Sequence, residues 1–392
     1  MAADRILSLA AACVLAVTAA SAGCAPLARP AASAAGGQAA GIGAGIAEPG
    51  DAARREDILR VMTSVAEWQL AAPSKHRTND WQWGVFWAGL AAFAPVSGDP
   101  GRYYGAIRRN GEANGWNPGP SRFCVDDYAV AQSYFLIHRI EKDRNMIAPT
   151  LSRIDVMLGM PFDEPLDFSQ EKTDREWATC DSLFMLPPAL AMASAATGDR
   201  RYAGLMDRLW WKTTDYLYDS EERLFYRDSR FFALREPNGR KVFWSRGNGW
   251  VLAGTARVLQ QLPADHPGRH RYVRLFREMA QRIAGLQASD GYWRAGLLDP
   301  ESWPAPETSG TGLHVYALAW GVNEGQLDRA AFAPVVRRGW AALARSVRPD
   351  GMLGDVQPES DRPGKTTGDR TELFGAGAFL LAGSEVLRME GP

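Results

Sequence analysis

Trp83-Gly84-Val85-Phe86-Trp87-Ala88-Gly89-Leu90-Ala91-Ala92-Phe93 and Gly375-Ala376-Gly377-Ala378-Phe379-Leu380-Leu381-Ala382-Gly383 carry no charged side chain on any face. A helix that is apolar all round belongs inside a protein, whereas one with an apolar stripe belongs on its rim. The stretches from Arg200 to Trp211 and from Arg269 to Arg282 are of the second kind, amphipathic and charged. Outward from these segments the helical period recurs along the chain. Glu56 to Leu70 places Ile58, Leu59, Met62, Val65, Ala66 and Leu70 on one face, and similar runs follow at about 82–95, 102–110, 127–140, 144–158, 181–197, 199–217, 247–262, 269–288, 311–322, 329–347 and 372–389. Strand patterns are nearly lacking. Short polar turns join the runs at Ser97-Gly98-Asp99, Thr197-Gly198-Asp199, Pro263-Ala264-Asp265 and Asn323-Glu324-Gly325, giving a degenerate repeat of helical hairpins about 57 residues long. The alternation of charged and apolar helices predicts an all-α fold, an (α/α)6 barrel with an inner ring of six helices inside an outer ring of six. An open solenoid of the same hairpins is the competing arrangement.

The chain has 392 residues, 44 Lys+Arg against 45 Asp+Glu, a net charge of −1 and 46% hydrophobic residues. That balance excludes a disordered chain and a nucleic-acid-coating protein, and it leaves enough apolar residues for one large core. The 14 Trp suit a flat ligand such as a sugar, and equally a well-filled helical core. At the N-terminus Arg5 precedes the apolar run Ile6 to Ala20, and Ser21-Ala22-Gly23-Cys24 follows, the pattern of a secretory leader over 1–24. Residues 25–49, nearly all Ala, Gly, Pro and Ser, read as a flexible tether, and 50–392 as a single catalytic domain. Export to the periplasm, the cell surface or the medium is the expectation. Cys24 resembles the lipidated cysteine of bacterial lipoproteins, although Ser21 stands where that motif usually has Leu, and a lipid on Cys24 would be the one route to a membrane. Cys124 and Cys180 read as two buried thiols rather than a bridge, although an oxidising compartment would allow the pairing. Five scattered His and no paired Cys or His spacing offer no metal site, and no cofactor is called for.

The chemistry-bearing residues stand where each inner helix begins. These starts are Asn79-Asp80-Trp81-Gln82-Trp83, Cys124-Val125-Asp126-Asp127-Tyr128, Trp177-Ala178-Thr179-Cys180-Asp181, Phe243-Trp244-Ser245-Arg246-Gly247-Asn248-Gly249-Trp250, Glu307-Thr308-Ser309-Gly310-Thr311 and Asp369-Arg370-Thr371-Glu372. Parallel inner helices would bring all six to one mouth, where carboxylates, Trp, an Arg and positive helix ends suit a saccharide bearing a negative charge. For each Asp or Glu the plain alternative is an N-cap, worth about 1 kcal/mol.

WATCDSLFMLPP at 177–188, VFWSRGNGW at 242–250, DGYWRAGLLDP at 290–300, ETSGTG at 307–312, Asp126-Asp127-Tyr128 and FGAGAFLLAGSE at 374–385 together resemble glycoside hydrolase family 105, the unsaturated rhamnogalacturonyl and related uronyl hydrolases, which are related to family 88. The resemblance spans about residues 55–389. It implies an α/α six-barrel that removes a 4,5-unsaturated uronic acid from the non-reducing end of lyase-made oligosaccharides. It implies Asp181 as the acid/base, one of Asp126 and Asp127 as a second active-site carboxylate, and Trp244 and Arg246 as substrate contacts. Trp250 is a further candidate for stacking on the sugar, and Trp83, Trp177, Thr308 and Ser309 complete the candidate binding set.

Such a sugar needs only one carboxyl. Its C4=C5 bond is a vinyl ether, so a proton delivered to C4 leaves cationic character at C5, where the ring oxygen stabilises it and water adds; ordinary glycosidases instead need two carboxylates around C1. Asp181 would keep its proton near neutral pH through the apolar run Leu183-Phe184-Met185 and the negative charge of Asp126 or Asp127. The family usually places a substrate-binding His after an aromatic residue between these motifs, whereas this chain has Leu224-Phe225-Tyr226-Arg227-Asp228-Ser229-Arg230. Arg227 favours a more acidic product, sulfated or uronate-rich, unless a salt bridge with Asp228 or Glu222 occupies it. Two other functions compete: a non-catalytic carbohydrate-binding protein, and an α/α-barrel epimerase or lyase using His314 and Tyr316 as bases.

Overall fold

The computed structural model describes residues 54–169 and 175–391, so the expected leader and tether lie outside the described residues. The outer helices are α1 (Arg55–Ala71), α3 (Pro100–Ala113), α5 (Ala148–Leu158), α8 (Arg200–Leu217), α10 (Arg269–Ala284) and α12 (Arg329–Arg345). Inside them stand α2 (Trp81–Phe93), α4 (Ala131–Glu141), the broken pair α6 (Ser182–Met185) and α7 (Pro187–Thr197), α9 (Ser245–Leu259), α11 (Thr308–Asn323) and α13 (Leu373–Glu390). Each inner helix packs on the next, and α13 packs back on α2, so the ring is closed and the open solenoid is set aside. At the closing seam the backbones touch: a Cβ on Gly89 would fall 2.3 Å from the Gly377 carbonyl oxygen, and one on Gly377 would fall 2.4 Å from that of Val85. Only glycine permits that approach.

Burial follows the alternation read from the sequence. Every residue of α9, and α11 from Thr308 to Val322, is buried, whereas α8 and α10 bury one stripe each. Two of the polar turns end in an Asp that starts the next outer helix, and Asp328, just beyond Asn323-Glu324-Gly325, starts another. Asp99 accepts the Arg102 N–H at 3.0 Å, Asp199 that of Arg201 at 2.9 Å and Asp328 that of Ala331 at 2.8 Å, satisfying donors that helix geometry leaves unpaired.

Three expected boundaries move for local reasons. The run at 181–197 is broken after Met185, because Pro187 and Pro188 supply no amide hydrogen to continue the ladder. The run at 127–140 begins as a 3-10 turn over Val125–Tyr128, and α4 starts only at Ala131. The run at 311–322 starts earlier, at Thr308, because Glu307 caps it. The described strands form a short antiparallel hairpin, β1 (Tyr218–Asp219) with β2 (Leu224–Phe225), which delivers the chain to Arg227. None of the described helices is long and apolar enough to cross a membrane.

The C-terminal ends of the inner helices surround a cavity of about 340 Å³ lined by Arg257, Gln260, Tyr316 and Glu385, among others. The N-terminal ends meet at the other face, where the polar helix starts converge.

Candidate active site

Arg246, in the first turn of α9, ties these starts together. Its guanidinium lies 4.4 Å from the Trp244 ring centre and 4.7 Å from that of Phe374 at the head of α13. One Nη1 donates to Ser309 Oγ on α11 at 3.1 Å and to the Gln357 carbonyl at 2.8 Å, and Nη2 donates to the Pro358 carbonyl at 2.9 Å. Phe374 in turn stacks on Trp81 of α2 at 5.3 Å. The side chain is 1% exposed. Burial lowers its pKa to about 10, against the pull of Glu307, Asp181, Glu372 and Glu359, so it stays a cation at neutral pH.

Asp181 precedes α6 but makes no capping bond. Its carboxyl instead accepts from Arg227 Nε at 3.2 Å on Oδ2 and from the Cys180 thiol at 3.4 Å on Oδ1, and its side chain is 14% exposed. Burial raises its pKa, while Arg227, the Cys180 thiol and Arg246 pull the other way. Gly247 lets α9 come this close, since a Cβ there would lie 3.1 Å from both Cys180 Sγ and the Trp244 ring and 3.7 Å from Asp181 Oδ1. Cys180 is fully buried and burial keeps it a thiol; Cys124 is only half-buried, and no disulfide joins them.

Arg227 reaches Asp181 from the chain after β2, and its backbone carbonyl accepts the Cys180 N–H at 2.9 Å. Asn248, one turn into α9, holds that strand: Oδ1 accepts the Phe225 N–H at 2.8 Å and Nδ2 donates to the Phe225 carbonyl at 3.0 Å. Arg227 Nη1 also donates to Asp228 at 2.8 Å. Buried Asp228 binds Arg230 at 2.8 Å, Arg230 binds Asp361 at 2.8 Å, and Asp361 binds Arg362 at 2.8 Å. The Arg230 guanidinium sits 3.5 Å over the Phe168 ring, an attraction between cation and π face.

The two neighbouring aspartates separate. Asp127 Oδ2 accepts the Ser121 N–H at 2.5 Å, and its carboxylate occupies the space a Cβ on Gly119 would need, so it shapes the loop leading to α4. Asp126 is half-buried in the same 3-10 turn, which packs against α6 beside Asp181.

The remaining candidates are placed as follows. Trp244 donates from Nε1 to Gln357 Oε1 at 2.9 Å. Thr308 Oγ1 donates to the Gly354 carbonyl at 2.9 Å, and Ser309 donates to Glu307, whose carboxylate caps α11 through the Ser309 and Gly310 N–H groups at 2.9 and 2.7 Å. Trp250 packs in the core against Phe184, Trp83 stacks on Trp87, and buried Trp177, with φ 61°, accepts Thr213 Oγ1 on its carbonyl. His314 is buried beneath Ser245 with its pKa lowered to about 3, and Tyr316 opens to the cavity at the opposite end of the ring. The bases an epimerase or lyase would use are therefore not at the mouth.

Sequence reasoning missed the segment from Gln357 to Arg362, which supplies acceptors to Trp244 and Arg246 and carries Asp361. It also missed Glu359, which accepts from Gln82 Nε2 at 2.9 Å; Glu372, expected at the sixth helix start, has its pKa raised by burial beside His76, Glu359 and Lys75. Five polar residues between Asp355 and Lys365, punctuated by Pro358 and Pro363, were the available sign of a functional loop.

A closed helical toroid with a cationic and carboxylate-lined mouth at the inner helix starts defines the class of α/α-barrel glycoside hydrolases. Residues 56–390 match the profile of Glycosyl Hydrolase Family 88, and the chain belongs to that family. A relative from Formosa agariphila named unsaturated 3S-rhamnoglycuronyl hydrolase is 38% identical over 85% of this chain and 91% of its own length. A solved glycosyl hydrolase family 88 structure from Bacteroides vulgatus superposes with a TM-score of 0.77 at 29% identity, covering 86% of this chain and 99% of that one. Another solved structure, described as a polysaccharide lyase, superposes with a TM-score of 0.76 at 31% identity over 85% of this chain and 97% of its own.

Proposed function

We propose that this protein removes a 4,5-unsaturated uronic acid from the non-reducing end of lyase-made oligosaccharides, with Asp181 as acid and then as base. The observation that carries this is a carboxyl at a helix start that caps nothing, is pushed toward the protonated form by burial, and opens at a mouth lined with charge. Asp181 gives its proton to C4. Water then adds at C5, returning a proton to Asp181, and the resulting hemiketal opens to a ketone and releases the aglycone without further help. General catalysis of this kind contributes about 10² to 10⁴ in rate.

Asp126 and Asp127, both in the turn packed against α6, remain the two candidates for a second active-site carboxylate. Trp244 and Arg246 build the floor of the mouth. The Formosa relative's name supports a rhamnose-linked substrate, whereas the salt bridge of Arg227 with Asp228 occupies that arginine, so it does not by itself favour a more acidic aglycone. The leader pattern over 1–24 and Cys24 support export, with Cys24 as the candidate for lipid attachment.

The test is the ultraviolet absorbance of the conjugated double bond, followed on lyase-made disaccharides with wild type and Asp181→Asn. The expected result is a steady loss with wild type and a rate lower by about 10² to 10⁴ with the variant. Rising absorbance on saturated polysaccharide would instead reveal a lyase, and binding without any change a carbohydrate-binding protein.

A further inference from the structure

Arg227 stands at the end of a chain of alternating charges: Asp181, Arg227, Asp228, Arg230, Asp361 and Arg362. Three carboxylates face three guanidinium groups, so the chain is balanced only while Asp181 is ionised. The proposed chemistry requires the opposite state. Asp181 must hold a proton to deliver it to C4, and protonating it leaves the chain with one unmatched positive charge.

The geometry shows where that charge resides. Asp228 is fully buried and is shared by Arg227 and by both Nε and Nη2 of Arg230, at 2.8 to 2.9 Å. Arg230 has Asp361 and the Phe168 ring as well. Arg227 is the member whose second partner is Asp181 itself, and its side chain is 15% exposed, so an incoming group can reach it at the opening. The other groups facing Asp181 are fixed: the Cys180 thiol is buried, Arg246 lies beside the Trp244 and Phe374 rings and donates to backbone carbonyls, and the turn bearing Asp126 and Asp127 packs on α6.

Resting on the hydrolase reading above, we propose that Arg227 is a positioning residue that couples substrate binding to the protonation of Asp181. In the free enzyme its guanidinium holds Asp181 as the carboxylate. An oxyanion of the bound substrate takes over as its partner, and Asp181, relieved of the cation, takes up from solvent the proton it then delivers to C4. The oxyanion is a carboxylate of the uronate or a sulfate of the aglycone. With either one bound, the chain is balanced again while Asp181 is neutral. An opposite charge at this range holds a carboxyl down by about 1 to 3 pH units, so the exchange switches the acid on only when substrate is present.

The test compares two pH profiles. Activity is lost as pH rises through the pKa of Asp181, seen for free enzyme in kcat/KM and for the complex in kcat. In wild type the alkaline limb of kcat is expected about 1 to 3 pH units above that of kcat/KM. Arg227→Gln raises the kcat/KM limb until the two coincide, and Arg227→Lys keeps part of the gap. A second readout, independent of turnover, is the carboxyl carbon resonance of labelled Asp181 in free enzyme, which titrates higher in Arg227→Gln. Sulfated and unsulfated substrates distinguish the source: a gap that needs sulfate assigns the aglycone, and an equal gap with both assigns the uronate. Coincident limbs in wild type, or an unchanged gap in Arg227→Gln, overturn the proposal while leaving the hydrolase reading intact. No turnover of any unsaturated substrate by wild type overturns that reading first.

Discussion

The two arginines at the mouth resemble each other in sequence and differ in what they do. Both are candidates for gripping a negative sugar. Arg246 is 1% exposed and spends its hydrogen bonds on the carbonyls of Gln357 and Pro358 and the hydroxyl of Ser309, with the Trp244 and Phe374 rings beside it. Arg227 is 15% exposed and spends its bonds on the carboxylates of Asp181 and Asp228. A guanidinium bound to backbone carbonyls holds backbone in place, because a carbonyl left without its donor is costly. One bound to a carboxylate at an opening can trade that partner for another anion. Arg246 is thus the brace of the site and Arg227 its exchangeable element.

That contrast can be broken by substitution. Arg246→Gln removes the donors of the Gln357 and Pro358 carbonyls and the cation beside the Trp244 and Phe374 rings, so the folded state should lose about 3 kcal/mol. The urea midpoint would report it, and an unchanged midpoint would make Arg246 a ligand-binding group instead. Glu307→Ala, on the same side of the mouth, unmakes the cap on Ser309 and Gly310 and should cost about 1 to 2 kcal/mol in the same measurement. Trp244→Phe keeps the ring beneath Arg246 but loses the bond to Gln357, for about 1 kcal/mol. Arg227→Gln takes a charged partner from buried Asp228 and so lowers the midpoint as well, but its distinguishing effect is in the pH profiles.

The same contrast marks what a sequence discloses. The rings were legible because burial is written in composition: α9 and α11 have no exposed face, α8 and α10 have one. Asp181 stood out as a candidate through its neighbours, yet whether an acid at a helix start is a cap or a reactive group depends on where its oxygens point. Glu307 caps its helix and Asp181 does not. The roles of Arg246 and Arg227 were hidden for a related reason. Gln357 and Pro358, the carbonyl partners of Arg246, and Asp361, which binds Arg230 further along the chain of charges from Arg227, lie more than a hundred residues away in a segment without helical period, and no local pattern ties the loop to the mouth. The break at Leu186 was visible in Pro187-Pro188, although the apolar run on both sides conceals it.

Protonation at C4 by Asp181 is the step on which everything above depends, and turnover in deuterium oxide examines it directly. The released keto sugar should carry one deuteron at C4, placed on a single face, and Asp181→Asn should form that product slower by about 10² to 10⁴. A product that retains its double bond and carries no deuteron at C4 would mean attack at C1, and would contradict hydration by Asp181.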